Sequence, residues 1–278
     1  MDCDSVLKGR LHERFLRNLA EFQKEGVLFA YNNDGRVLIA DEMGLGEPCL
    51  KFELIYHSST GKTRQAIAIA VMYYEEWPVL IICPSSARYH WLNEITTLIT
   101  PEYVHASDII LVDNLQYQYQ PSHRFIIVSY SIIQKLFAVL NKINFNVVIA
   151  DESHFLKNAK TQRSQTLLPL LKKSKRAILL SGTPALSRPM ELFTQLHVLA
   201  PHIWPDEKEY AKRYCRNPKG KYWSDYRGAS NTKELHIMLS NTVMIRRLKK
   251  DVMAMLPKKQ RTLILLKVSD KESLVNFR

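Results

Sequence analysis

Two adjacent carboxylates and a histidine, Asp151, Glu152 and His154, follow directly on the apolar run Val147 to Ala150. A run of that kind reads as a strand buried on both faces of a parallel sheet. In open α/β sheets, ligands gather at the carboxyl ends of the strands. A carboxylate pair there suits a Mg²⁺–phosphate site, one acid holding the metal and the next positioning a water. A solvated turn after a strand has the same composition, and the pair alone does not decide between the two.

Other residues supply what a phosphate site needs. Asp41-Glu42-Met43-Gly44-Leu45-Gly46 follows a short apolar run, and Gly61-Lys62-Thr63 opens a helical pattern. A glycine turn lets backbone N–H groups approach phosphate, and a helix N-terminus adds positive potential. The lysine reaches the outer phosphates and the threonine hydroxyl binds Mg²⁺. Taken alone, Gly-Lys-Thr is an ordinary tripeptide at a helix start. Ser181-Gly182-Thr183-Pro184 follows another apolar run, where hydroxyls can link a phosphate site to whatever binds above it; an ordinary turn reads the same way. At Phe22-Gln23 an amide with donors and an acceptor can read an adenine edge, although a surface glutamine is the default.

The elements that must position these groups alternate along the chain. Strands are expected at Val37–Ala40, Val79–Ile82, Ile109–Val112, Phe125–Val128, Val147–Ala150 and Arg176–Leu180. Helices are expected at Lys62–Tyr74, Ala87–Leu98, Ser131–Leu140 and Thr161–Leu168. This alternation predicts an α/β fold, a parallel sheet with helices on both faces. After Pro201 the texture changes to a basic, aromatic and irregular stretch, Trp204 to Asn231. Asn231 with Glu234 then suggests a capping box for a helix to Leu239. Arg246 to Lys250 is a dense basic run, and Gln260 to Val268 reads as a further strand.

With 46% hydrophobic residues in 278, the chain can bury a large core. Its net charge of +12 points to a polyanionic partner, nucleic acid before membrane. The cysteines at 3, 49, 83 and 215 have neither zinc nor disulfide-framework spacing. No stretch approaches the roughly 18 apolar residues of a membrane span, and no secretory core precedes Arg14, so a soluble intracellular chain is expected.

In this order, the residues resemble the first ATPase lobe of superfamily-two helicases of the Swi/Snf type, a RecA-like P-loop lobe. DEMGLG with GKT is similar to motif I, DESH to motif II, SGTP to motif III and Phe22-Gln23 to the Q motif. Ile82 to Ser86 and Ile127 to Tyr130 are similar to the DNA-facing motifs Ia and Ib. DESHFLKN, GTPALSRP and the run from Met244 to Lys249 resemble the annealing-helicase branch, HepA-related proteins that rewind branched DNA at stalled replication forks in the nucleus. The resemblance implies ATP and Mg²⁺ as cofactors and forked or junction DNA as a sequence-nonspecific partner, with fork proteins beside it. It implies Lys62, Asp151 and Glu152 as catalytic residues, with Thr63 and Asp151 on Mg²⁺. Gln23, Asp41, Gly44, Gly46, Gly61, Lys62 and Thr63 would bind nucleotide. His154, Ser181 and Thr183 would couple the site to DNA. Ser85, Ser86, Arg88, Ser129, Arg246 and Arg247 would contact DNA, mainly its phosphates.

The expected organisation is an N-terminal extension at 1–15, the ATP-binding lobe at 16–256 and the start of a connector to a second lobe at 257–278. A lobe without its partner would hydrolyse little ATP. The competing function is a non-catalytic DNA-binding or scaffold fragment, or a chromatin-remodelling relative. An unrelated P-loop enzyme acting on a small molecule fits the basic charge and ordered motifs poorly.

The segment Glu47 to Gly61 separates Gly46 from Lys62, where the family joins them directly. A phosphate loop works because its N–H groups converge on one anion. Either the segment is extruded and Ser59 or Thr60 caps the helix, or the site is split and ATP binds poorly. Its partly apolar texture, unlike its surroundings, is read as retained intron sequence or a gene-model error. The mature transcript across Gly46 to Lys62 should therefore lack these codons; a message that carries them overturns that reading.

Overall fold

A computed structural model of the chain describes residues 3–42, 60–182, 188–216 and 228–252. Three helices lead in: α1 (Cys3–Lys8), α2 (Glu13–Arg17) and α3 (Glu21–Asn32). Then come β1 (Arg36–Ile39), α4 (Thr60–Met72), β2 (Val79–Cys83), α5 (Arg88–Ile99), β3 (Ile109–Val112), β4 (Phe125–Ser129), α6 (Ile133–Leu140) and β5 (Val147–Ala150). A 3-10 turn at Ser153–Leu156 leads to α7 (Gln162–Lys173), β6 (Arg176–Leu180), α8 (Met190–Leu199) and α9 (Glu207–Tyr214). The short strands β7 (Cys215–Arg216) and β8 (Gly228–Ala229) pair with each other, and α10 (Thr232–Thr242), β9 (Met244–Ile245) and α11 (Lys249–Val252) follow.

Seven strands form one parallel sheet in the order β3-β4-β2-β5-β6-β1-β9. Successive strand residues point to opposite faces, and both faces are covered. Leu38, Leu80, Ile82, Ile126, Val148 and Leu179 face α6 to α10. Val37, Ile39, Ile81, Ile127, Ile149 and Ile178 face α1 and α3 to α5. That double burial is why the strands read as unbroken apolar runs rather than as alternating ones. The helix α4 is buried on nearly all sides, Ala66 to Met72 being fully enclosed, as suits a helix apolar on most faces.

Several expectations change. The helix expected to stop at Leu168 runs through Pro169 to Lys173. A proline inside a helix costs about 3 kcal/mol, but Leu170 and Leu171 are buried beyond it, each worth about 1.5–3 kcal/mol. The α7 terminus is further held by Arg36, whose guanidinium donates to the carbonyls of Leu171, Ser174 and Lys175, and to Val198 and Leu199 at the end of α8. Burial lowers the Arg36 pKa, and the neighbouring Arg176 adds to that. The stretch from Trp204 is not irregular throughout: Asp206 caps α9 by accepting from Glu209 N at 2.8 Å. The capping box at Asn231 does not form. Asn231 takes a left-handed backbone, and Glu234 instead accepts from Arg213 Nε at 2.7 Å and from the Tyr214 hydroxyl at 2.9 Å. The strand expected at Gln260–Val268 lies outside the described residues.

One contact fixes how α3 meets α4. A Cβ on Gly26 would lie 2.0 Å from Gln65 Oε1 and 3.1 Å from Gln65 Cδ. Gln65 is fully buried and its Nε2 is bonded to Asp41 and Gly61, so it cannot swing aside cheaply. Gly26→Ala should gain about 1 kcal/mol in helix propensity and lose about 1–3 kcal/mol to overpacking. A net fall in thermal unfolding temperature is expected; an unchanged or higher one would mean that Gln65 relocates freely.

Candidate nucleotide and nucleic-acid site

The carboxyl edge of the sheet carries the candidate residues. Asp41 follows β1, Ser85 and Ser86 follow β2, Ser129 ends β4, Asp151 and Glu152 follow β5, and Ser181 follows β6. In the sheet, β5, β6 and β1 are neighbours, so Asp151, Ser181 and Asp41 stand side by side. Lys62 and Thr63 lie in the first turn of α4, 5% and 2% exposed. The inserted segment therefore does not carry Lys62 away from the carboxylates. Its Nζ donates to the Asp41 carbonyl at 3.2 Å. Burial draws the ammonium below the usual lysine range, while the charges of Glu152, Asp41 and Asp151 pull it back up. A buried ammonium within electrostatic reach of three acids is poised for a polyanion accompanied by a cation.

The two acids after β5 are held differently. Asp151 continues the sheet ladder, its N–H donating to the Ile82 carbonyl at 2.8 Å. Its Oδ2 accepts from the Trp91 indole at 3.0 Å, and its Oδ1 from the Glu152 amide at 2.9 Å. Burial raises the Asp151 pKa; the Trp91 bond opposes this, and the Glu152 charge adds to it. Glu152 adopts a left-handed backbone, φ 48° and ψ 49°, a conformation costing about 1–3 kcal/mol in a residue with a side chain. That turn directs the chain away from the sheet into the Ser153–Leu156 turn. Ser153 anchors this turn by donating to Gln195 Oε1 on α8 at 2.8 Å. His154 Nδ1 lies 3.1 Å from Glu152 Oε2, out of line for a hydrogen bond. The Ser181 N–H donates to the Ile39 carbonyl at 3.0 Å, tying β6 to β1 beside the pocket.

Asp41 is an internal anchor. It is 1% exposed, and it accepts from Gln65 Nε2 at 2.9 Å, from the Arg247 amide at 2.9 Å and from the Arg247 guanidinium at 3.1 Å. Gln23 faces the same corner. Its Oε1 caps α3 by accepting from Ala20 N at 2.8 Å, and its Nε2 lies 3.4 Å from the Gly61 carbonyl. Gly44, Gly46 and Thr183 lie outside the described residues.

The expected DNA residues do not form one patch. Ser85, Ser86, Arg88 and Ser129 cluster beyond β2 and β4. Ser85 and Ser129 share the Ser131 hydroxyl at 3.2 and 2.7 Å. Arg88 pairs with Asp113 and donates to the Ser85 carbonyl at 3.2 Å. Arg246 and Arg247 sit past β9, four strand spacings from β2, or about 19 Å. The side chain of Arg247 is 11% exposed. It contacts Asp41, lies 3.5 Å from Glu25, and covers the Phe22 ring at 5.5 Å. Expected as a DNA contact, it is instead engaged inside the lobe, because the buried charge of Asp41 needs a cation.

The SNF2-related domain matches residues 22–275. The chain belongs to the SNF2-related family. This SNF2-related chain is similar to the mouse (Mus musculus) DNA annealing helicase and endonuclease ZRANB3, 44% identical over 260 residues, 90% of this chain and 23% of that protein. It is also similar to the Xenopus laevis SWI/SNF-related matrix-associated actin-dependent regulator of chromatin subfamily A-like protein 1, 38% identical over 265 residues, 95% of this chain and 26% of that protein. It thus spans about a quarter of these relatives' length. The fold is shared with the Sulfolobus solfataricus SWI2/SNF2 ATPase core in complex with dsDNA, at a TM-score of 0.65 and 23% identity, covering 86% of this chain and 47% of that one.

Three residues that hold the SNF2-related site were not singled out for it in the sequence: Trp91, Tyr130 and Gln65. Nothing local in the sequence signals that an indole 60 positions away caps Asp151. Because burial raises the Asp151 pKa, its contribution to stability is present below the ordinary carboxylate range and is lost as pH rises toward the folded-state value. The Trp91 bond offsets that loss. Trp91→Phe should therefore destabilise the chain near neutrality by about 1.5–3 kcal/mol, the range for a hydrogen bond to a charged group. The gap to wild type should narrow in mild acid as Asp151 takes up a proton. Urea unfolding at both pH values measures it; an equal gap at both would mean that the indole acts through packing alone.

Proposed function

We propose that this chain is the first nucleotide-binding lobe of an ATP-driven DNA translocase that rewinds or remodels branched DNA at stalled replication forks in the nucleus. The observation that carries this is the buried Lys62 ammonium at the start of α4, facing Asp151 and Glu152. The annealing-helicase name of one relative and the chromatin-regulator name of another favour DNA as the polymer.

Lys62 would hold the β- and γ-phosphates. An all-oxygen donor set, the Thr63 hydroxyl and the Asp151 carboxylate, suits a hard cation such as Mg²⁺. Each Asp151 oxygen already accepts one hydrogen bond, and the lone pair left on each would be available to the cation or its water. Bound Mg²⁺ would neutralise charge on the phosphate oxygens. Glu152, held outward by its left-handed backbone and half-exposed, would orient the attacking water. Lys62 and Glu152 thereby act by position and charge, which is what phosphoryl transfer asks of a protein. Gln23 would meet the adenine by giving up its long contact to Gly61. His154, Ser181 and Thr183 would relay the state of the site. Ser85, Ser86, Arg88, Ser129 and Arg246 would contact DNA phosphates.

A non-catalytic DNA-binding fragment is the second reading, favoured by Glu47 and Glu53 in the segment that splits the phosphate loop. The two readings separate on ligand-linked stability. At a hundred times its dissociation constant, ATP with Mg²⁺ should stabilise the chain by about 2.7 kcal/mol. Lys62→Ala should abolish the rise in melting temperature. No rise with the wild-type chain would favour the non-catalytic fragment.

A further inference from the structure

Arg163, in the first turn of α7, has a guanidinium with no ion pair or hydrogen bond among the described residues, and its Nε is sealed from water with no acceptor. It lies 4.9 Å from the centre of the Phe155 ring and 5.4 Å from that of Tyr130. The two rings meet edge to face at 5.3 Å. Phe155 is 39% exposed, although it is large and apolar. Tyr130 leads directly into the exposed Ser131, whose hydroxyl joins Ser85 and Ser129. A cation and an open ring thus pack on Tyr130, the residue that leads into the hydroxyl cluster at the carboxyl edge of β4.

The surrounding sequence carries a single sign of charge. Between Asp113 and Asp151 there is no acidic residue, nor between Glu152 and Glu191. On the carboxyl side of β4 and β5 those spans carry Lys135, Lys157, Lys160 and Arg163, of which Lys157 pairs with Glu191. The helices α6 and α7 from these spans pack against each other. A surface of this kind attracts a polyanion. A guanidinium that lacks an acceptor completes its bonding on a phosphate, where its planar fork fits. An exposed ring beside it suits a base that has left its partner strand.

We propose that Arg163, Phe155 and Ser131 form a binding site for an unpaired nucleotide: Arg163 takes a backbone phosphate, Ser131 donates to a neighbouring phosphate oxygen, and the base stacks on Phe155. This deepens the proposed function and rests on its DNA reading, adding a preference for single-stranded character. The site is one hydrogen bond from the nucleotide pocket, because the Tyr130 hydroxyl donates to the Asp151 carbonyl at 2.7 Å.

The test is fluorescence polarisation with labelled single-stranded oligonucleotide and with blunt duplex, across a salt titration. Arg163→Gln should weaken single-strand binding about tenfold and flatten the slope of log K against log salt by about 0.7, the value for one phosphate contact on a single strand. Arg163→Lys should restore the slope. Phe155→Ala should weaken single-strand binding with the slope unchanged, Phe155→Trp should restore it, and duplex binding should change little in either. Unchanged affinity and slope in Arg163→Gln, with wild-type binding intact, would overturn this site and leave the DNA reading standing. A wild-type chain that binds neither oligonucleotide would overturn both. If Arg163→Gln does not fold, the Phe155 pair decides: equal single-strand affinity for Phe155→Ala and wild type overturns the site.

Discussion

A carboxylate shut away from water must be surrounded by donors, and Asp41 is that carboxylate. Its demand organises the corner of the molecule where the chemistry would occur. Gln65 reaches it from α4, and Arg247 reaches it with both amide and guanidinium from beyond β9. Lys62 bonds to its backbone carbonyl. Two segments far apart in sequence, the start of α4 and the chain beyond β9, are thereby fixed to the end of β1. The fit is tight enough that α3 must present a glycine at position 26. Removing one partner from a network of this kind costs more than the bond itself, since the carboxylate left behind stays buried.

The same edge carries a second chain of contacts, running from the open surface inward. Ser85 and Ser129 share Ser131, Tyr130 bonds to Asp151, and Asp151 is capped by Trp91 on α5. The first turn of α5 carries Arg88, which lies with Ser85 at the outer rim. Further along, Glu94 on α5 pairs with Arg64 on α4 at 2.9 Å, next to Thr63. Surface and pocket are therefore joined by a packed helix and by a strand end, both rigid elements. A displacement at the rim has little slack in which to dissipate before it reaches the acids.

Much of this was legible in the sequence because parallel strands buried on both faces leave continuous apolar runs, and six of the seven strands of the sheet were placed to within a residue or two. Among the described residues, Asp41, Ser129, Asp151, Glu152 and Ser181 lie at strand ends, while Lys62 and Thr63 open α4. What was missed was non-local. Met244–Ile245 is too short to show a period, yet it completes the sheet by pairing with Leu38 and Ile39. Arg247 looked like one more charge in a basic run; only its distant partner, Asp41, makes it internal. Helix α8 was not expected after Pro184 and Pro189, although Leu192, Leu196 and Leu199 have helical spacing and are buried. The end of α7 was placed too early because Pro169 is a local signal, and tertiary burial outweighs it.

The pairing of β9 with β1 has a mechanical consequence. The N–H groups of Leu38, Ala40 and Glu42 donate to the carbonyls of Val243, Ile245 and Arg247, so the chain is stitched to the end of β1 beside Asp41. From there α11 sets off at once, with Val252 resting on Phe22, next to Gln23. The chain therefore leaves the sheet beside the candidate adenine contact, with the end of α11 packed on the helix that carries Gln23.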